Sequence, residues 1–227
     1  TYNANFIGTQ NLLAALKQSG FSGRFVFVSS ADIYGAVPIA EMPIRETREP
    51  HPLNPYAVSK RAAEMLCDYW CRAEGLDLVI ARAFNHIGPR QSARFAIADF
   101  ARMISQMKLG SRPPILDVGD LDITRDFTDV RDVVAAYRLL LTQGQRGEIY
   151  NVCSGVERHL GGIVKALAEI AGVEISLRSD PDRQRKVEQR RACGSPDKLE
   201  QHTGWRPRIE WRTSLLNTIQ YWEDTLK

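Results

Sequence analysis

Residues 24–35 read RFVFVSSADIYG. Four residues of high β propensity, Phe25 to Val28, run straight into two serines, with no alternation of polar and apolar positions. A strand of this kind is buried on both faces, which is the signature of a parallel sheet covered by helices. Two further runs repeat the pattern, LDLVIA at 76–81 and EIYNV at 148–152. Helical patterns separate them. Residues 2–18 carry Phe6, Ile7, Leu12, Leu13 and Leu16 at near-helical spacing. Asn54-Pro55 reads as a cap with proline at the first helical position, opening a helix that runs to Ala73 and stops at Gly75. Residues 93–109, Asp129–Leu141, 160–171 and 212–225 are also predicted helical, and short strands are predicted near 113–119 and 174–178. Strands alternating with helices predict an α/β fold, a parallel sheet with helices on both faces. Such sheets place ligands at the carboxyl ends of their strands. Here those ends are Ser29-Ser30, Phe84-Asn85-His86 and Cys153-Ser154-Gly155.

The composition narrows the function. A net charge of +3 is too small to argue for nucleic acid, and the basic stretch 183–191, interrupted by Glu188, reads as solvated surface. No run of about 18 apolar residues predicts a membrane span. Cys67, Cys71, Cys153 and Cys193 form no Cys-x-x-Cys pair. Cys67 and Cys71 sit one helical turn apart, but with no nearby histidine the expectation is no metal and reduced thiols in a cytoplasmic protein.

Tyr56 and Lys60, in YAVSK, lie four apart and so one above the other on their helix. With Tyr56 at 0° on a helical wheel, Lys60 falls at about 40° and the apolar stripe of Val58, Ala62, Met65, Leu66, Tyr69 and Ala73 centres at about 240°. The pair is therefore expected off the face that packs the core, towards either solvent or a site. A phenol titrates near 10, too high for acid–base work at neutral pH, and an adjacent ammonium would lower that value. The spacing alone also fits an ordinary exposed Tyr and Lys.

Taken with residues 25–35, the pair resembles the extended short-chain dehydrogenase/reductases, the NAD-dependent epimerase/dehydratase family of nucleotide-sugar epimerases, dehydratases and reductases. The resemblance implies a Rossmann-like sheet and makes Ser30, Tyr56 and Lys60 catalytic. Asn5, in the opening Asn-Phe-Ile-Gly-Thr, would lie near the cofactor, with Ser29 and Ala83 as further cofactor contacts beside Tyr56 and Lys60. Asp32 stands where dehydratases of the family carry Glu, and Ala31 where they often carry Asp. It is either an acid–base residue facing the sugar or a turn-stabilising Asp.

The family's motifs continue along the chain as FNHIGPRQ (84–91), VGDLD (118–122), RDFTDVRDV (125–133), EIYNVCSG (148–155) and TGWRP (203–207). In that order they are similar to the branch that reduces GDP-linked 4-keto-6-deoxy sugars at C4. That resemblance implies a diphosphate held by Asn85, Arg125 and Arg185, the last within Arg185-Lys-Val-Glu188. The plain alternative for Arg125 is an ion pair with Asp126, and Asp129 reads as a helix cap with Asp132 in the first turn.

The expected cofactor is NADP or NAD. No Gly-x-x-Gly-x-x-Gly follows a strand, so the pyrophosphate loop and the amino-terminal half of the sheet are expected upstream of Thr1. The expected partition is residues 1–85 and 129–155 as a partial dinucleotide-binding domain, and 86–128 and 156–227 as a smaller α/β nucleotide-sugar-binding part. A homodimer packed through the first helix and the Tyr56 helix is expected. Two alternatives remain: a GDP- or UDP-sugar 4-epimerase or 4,6-dehydratase, and a non-catalytic Rossmann-like binding or regulatory protein.

Overall fold

The computed structural model describes residues 1–183 and 189–227. In chain order the elements are α1 (Gly8–Gln18), β1 (Phe25–Ser30), α2 (Pro55–Arg72), β2 (Leu78–Ala83), β3 (Asn85–Ile87), α3 (Ala96–Lys108), β4 (Ile115–Val118), β5 (Thr124–Asp129), α4 (Val130–Gln143), β6 (Ile149–Val152), β7 (Glu157–His159), α5 (Leu160–Ala171), β8 (Ser176–Ser179), β9 (Arg191–Ala192), α6 (Asp197–Thr203) and α7 (Trp211–Leu226). They form two compact units.

The first unit comprises Thr1–Phe84, Val133–Gly155 and Gly194–Arg206. Its sheet is parallel, in the order β1-β2-β6. All six residues of β2 are buried, as a central strand covered on both faces requires. Leu78 and Ile80 pack with Phe27, Leu13, Ala63, Cys67 and Trp70 on the α1/α2 side. Val79 and Ala81 point the other way, into a cluster with Ala136, Leu140, Leu199 and Trp205. Residues 194–206, which the sequence assigns to the second part, belong to this unit because Leu199 and Trp205 fill that cluster.

The second unit comprises Asn85–Asp132, Val156–Cys193 and Pro207–Lys227. A mixed sheet joins β3, β5, β7 and β9, and a separate parallel pair joins β4 and β8. Its core is built by α3, α5 and α7, through residues such as Phe100, Met103, Ile104, Leu167, Leu215 and Ile219.

Two expectations change. The strand expected at 76–81 occupies 78–83 and runs through a charged residue, Arg82, whose charge is matched by buried Glu64. Residues 124–129 form a strand where only a loop leading to a cap was expected. TRDFTD buries polar residues, Asp126, Thr128 and Asp129, so it carries no apolar signal, and pairing with β3, β7 and β9 supplies what the pattern lacks.

Candidate active site

In the first unit, β1 delivers two serines to the carboxyl edge of the sheet. Register places Ser29 opposite Arg82 and Ser30 opposite Ala83, with Ala83 opposite Val152 in turn. The chain leaves β1 in a 3-10 turn, Ala31–Tyr34, capped by Ser30, whose Oγ accepts from the Asp32 amide at 3.2 Å. The turn ends at Gly35, where φ is +66° and a Cβ would collide with the His51 carbonyl oxygen. Glycine is required there both for the backbone angle and for the close approach.

Helix α2 begins as its sequence predicts. Asn54 Oδ1 accepts from the Ala57 amide at 2.8 Å and Pro55 takes the first position. Tyr56 therefore sits in the first turn and Lys60 in the second. The Tyr56 hydroxyl lies within polar reach of Ser30 and in the field of the Asp32 carboxylate. Lys60 Nζ donates to the Val28 carbonyl at 2.8 Å, and lies 5.3 Å from the Phe27 ring centre and 6.0 Å from that of Tyr56. The structure thus brings Ser30, Asp32, Tyr56 and Lys60 together.

Two expectations about this pair are corrected. The first concerns the face of α2. The buried residues are Ala57, Ser59, Ala63, Glu64, Cys67, Trp70 and Cys71, centred at about 20° on the wheel that puts Tyr56 at 0°. The pair lies on the packed face, at its amino-terminal end. Met65 and Tyr69 of the expected core stripe are 62% and 51% exposed. Ala63, Cys67, Cys71 and the bulkier Trp70 pack from the buried face against Leu78 and Ile80.

The second correction concerns charge. Burial raises the Tyr56 pKa above its ordinary value; the Ser30 hydroxyl pulls it back and Asp32 pushes it further up. Burial lowers that of Lys60. The Lys60 ammonium is committed to a carbonyl and does not dominate the phenol. Tyr56 is held neutral, the form that can give a proton.

The same edge offers groups suited to a cofactor. The Ser29 hydroxyl is buried and has no hydrogen-bond partner among the described residues. A buried polar group left so costs about 1–3 kcal/mol, which a ligand atom could recover. Lys60 uses one of its three ammonium donors on Val28, and Ala83 ends the neighbouring strand. Asn5 donates to Ser59 Oγ at 3.0 Å, and Ser59 donates to the Tyr56 carbonyl at 2.7 Å, so Asn5 is tied to the first turns of α2. These residues fit the ribose and nicotinamide end of a dinucleotide.

In the second unit, Asn85 opens β3, is exposed, and donates to the Asp126 carbonyl at 3.4 Å. Arg125 lies on β5, its Nη1 donating to the Thr124 carbonyl at 2.8 Å and the Arg190 carbonyl at 3.4 Å. Strand alternation sends Arg125 and Asp126 to opposite faces. Asp129 accepts from the Arg131 amide at 2.9 Å, as a cap does, and from Ser214 Oγ at 2.6 Å. Asp132 accepts from the amides of Arg208 and Ile209. Arg185 lies outside the described residues.

The sequence reading missed one group beside the serines. Arg82 is 1% exposed and forms a two-pronged pair with Glu64, Nε–Oε1 3.0 Å and Nη2–Oε2 2.9 Å. The available signal was a lone Arg inside LVIARAF, which demands a buried acid somewhere in the chain.

Known proteins resemble the chain along its length. Residues 1–218 match the family model described as GDP-mannose 4,6 dehydratase. The chain is 49% identical over all 227 residues to the GDP-6-deoxy-D-mannose reductase of Pseudomonas aeruginosa, and spans 75% of that protein's length. It is 30% identical over 220 residues to the dTDP-glucose 4,6-dehydratase of Streptomyces antibioticus, covering 97% of this chain and 63% of that one. Among solved structures, RMD from Pseudomonas aeruginosa complexed with NADPH superposes with a TM-score of 0.96 at 49% identity, covering 99% of this chain and 75% of that one. A UDP-glucose 4-epimerase from Thermotoga maritima with UDP-glucose gives a TM-score of 0.89 at 29% identity, covering 100% and 71%.

Proposed function

Because this chain belongs to the GDP-mannose 4,6-dehydratase family, we propose that it is an NAD(P)H-dependent reductase. Its reaction would convert the C4 ketone of GDP-4-dehydro-6-deoxy-D-mannose to the alcohol of GDP-D-rhamnose. The observation that carries this reading is Tyr56, held neutral beside Ser30 at the carboxyl edge of a parallel sheet. Whole-chain similarity to a reductase and to a structure with NADPH supports the substrate and the cofactor.

When bound, the reduced nicotinamide supplies the hydride that C4 receives. The residues of the chain handle the oxygen. Ser30 donates a hydrogen bond to O4 as negative charge grows there. Tyr56 gives its phenolic proton to the same oxygen, so the product leaves as an alcohol. Lys60, anchored on Val28, turns its remaining N–H groups to the cofactor ribose and stabilises the phenolate left behind. Asn5 holds the Tyr56 backbone through Ser59, and Ser29 and Ala83 contact the cofactor. Asn85, Arg125 and Arg185 bind the diphosphate, an Arg fork being matched to phosphate oxygens. Binding energy far from C4 then orients the ketone.

Two further parts of the reading rest on surface and thiols. Ile7, Leu12, Val58, Met65 and Tyr69 expose apolar area on the first helical segment and α2, which supports a homodimer packed through these helices. All four cysteines are free, which fits a reducing, cytoplasmic setting.

The test is incubation of the chain with NADPH and GDP-4-dehydro-6-deoxy-D-mannose, with product analysis. The expected result is GDP-D-rhamnose with one NADPH consumed per sugar. Tyr56→Phe should lower turnover about 10²–10⁴-fold and leave nucleotide-sugar binding in place. A second reading, a 4,6-dehydratase, is favoured by the Asp32 carboxylate acting on Tyr56. It requires loss of water from the 6-hydroxy sugar without net NADPH use, and that outcome would overturn the reductase.

A further inference from the structure

Behind the two serines lies a polar cluster with no part in the proton transfer. Arg82, Glu64, Tyr34 and Asn151 are each no more than 1% exposed. The Glu64 carboxylate takes the two-pronged contact from Arg82. Arg82 Nη1 also donates to the Tyr34 hydroxyl at 3.0 Å, and Tyr34 donates to Asn151 Oδ1 at 2.7 Å. Asn151 stands opposite Arg82 in the sheet register. Its Nδ2 donates to the Ile44 carbonyl at 2.9 Å, and its backbone amide donates to Glu46 Oε1 at 2.8 Å.

A pair of charges in such a place is not explained by stability. Well-packed apolar residues of the same volume are usually at least as stable as a buried ion pair. The cluster instead has geometric content. Glu64 is on α2, one turn after Lys60 and two turns after Tyr56. Tyr34 closes the 3-10 turn that Ser30 caps. Arg82 is on β2, directly beside Ser29 in register and one residue before the partner of Ser30. One guanidinium therefore grips, by separate nitrogens, the helix carrying Tyr56 and Lys60 and the turn carrying Ser30.

We propose that Arg82 is the hub of a positioning network, with Glu64, Tyr34 and Asn151, that sets the Ser30 hydroxyl against the Tyr56 hydroxyl. The network touches neither substrate nor cofactor and acts only through these two residues. It rests on the reductase reading for its catalytic consequence. The placement of Ser30 against Tyr56 can be measured without turnover.

The test uses Tyr34→Phe, which deletes one buried hydroxyl and keeps the ring, in the chain labelled with [13Cζ]tyrosine. Tyr56→Phe identifies the Tyr56 resonance. The expected result is kcat reduced about 10- to 100-fold, the loss associated with misplacement on the order of 1 Å, with KM for the GDP-sugar within about twofold. The Tyr56 titration should move to higher pH, because the aligned Ser30 hydroxyl is what favours its phenolate. A folded Tyr34→Phe chain with unchanged kcat and an unmoved Tyr56 titration would overturn the proposal. If wild type reduces no keto sugar, the reductase reading fails, and the titration alone then decides the positioning: a shift supports it and no shift overturns it. Should Tyr34→Phe not fold, as judged by circular dichroism, Arg82→Lys, which keeps a charge facing Glu64 but lacks the separate nitrogens that grip helix and turn, provides the same two readouts.

Discussion

Replacing both members of the Glu64–Arg82 pair by methionine separates what the pair does for stability from what it does for geometry. The two side chains are 1% and 2% exposed. Removing one of them leaves the other as an unmatched buried charge, at a cost of about 3–5 kcal/mol. The structure predicts an order within that range. Without Arg82, Glu64 keeps Arg61, whose Nη1 lies 3.2 Å from Oε2. Without Glu64, Arg82 keeps among the described residues two neutral acceptors, the Tyr34 hydroxyl and the Glu46 carbonyl at 3.4 Å. Glu64→Met should therefore cost about 5 kcal/mol and Arg82→Met about 3 kcal/mol.

The double variant removes both charges and fills the space with apolar atoms of similar volume, so it should cost no more than about 2 kcal/mol, a coupling of about 6 kcal/mol against the sum of the singles. Urea unfolding followed by circular dichroism gives the three values. Costs that add to within about 0.5 kcal/mol would refute the view that each charge is buried only because the other is there. The double variant also carries a second readout. If the pair is retained for geometry, this near-stable protein should still turn over slowly.

Three further outcomes follow from the site. Burial holds the Tyr56 pKa above the ordinary phenol range, with Asp32 raising it further. Its contribution to ketone reduction should be flat below that range and fall only on the alkaline side; Asp32→Asn should bring the fall to lower pH and Ser30→Ala should push the Tyr56 titration higher, read by NMR. Gly35→Ala places a side chain at φ +66° against the His51 carbonyl and should lower stability by at least about 1–3 kcal/mol, measured by chemical unfolding; an unaffected protein would mean the turn after Ser30 differs from the one described. Burial pushes the Cys67 thiol up to about 12, helped by Glu64 and Cys71, and all four cysteines are buried, so a thiol reagent at pH 8 should label the native chain slowly and all four sites rapidly in urea.

Much of the site was legible because its signals are local. The cap at Asn54-Pro55 depends only on neighbouring residues, and so does the spacing of Tyr56 and Lys60. Ser30 was legible as the end of an uninterrupted apolar run. What could not be read depends on distant partners. The strand at 124–129 is polar and is stabilised by pairing with segments near 85, 157 and 191. Arg82 looked like the end of a strand because a charge in a core makes sense only once Glu64, eighteen residues earlier, is known to face it. The wheel for α2 failed for a related reason. It weighted Met65 and Tyr69 by bulk, whereas packing against the sheet selected Ala57, Ala63, Cys67 and Cys71.

That failure explains how the sheet acquires its chemistry. A helix linking two parallel strands runs back against them, so α2 begins beside the carboxyl ends of β1 and β2 and finishes near their starts. The face that carries Ala63, Cys67, Trp70 and Cys71 packs on the strands for most of its length. Tyr56 and Lys60 occupy that face in the first two turns, where the strands give out. There Tyr56 meets Ser30, while Lys60 reaches the Val28 carbonyl and the Phe27 ring. The Tyr56–Lys60 pair is thus a continuation of the core stripe past the edge of the sheet, which is why its residues are half-buried and why burial dominates both of their pKa shifts. Being in the first turn, Tyr56 also lies at the positive end of the helix macrodipole, which favours negative charge at that position. The ground state keeps the phenol neutral by desolvation. In the proposed reaction the helix terminus and the Ser30 hydroxyl would face the charge left on Tyr56, and being fixed beforehand they would stabilise it without reorganising.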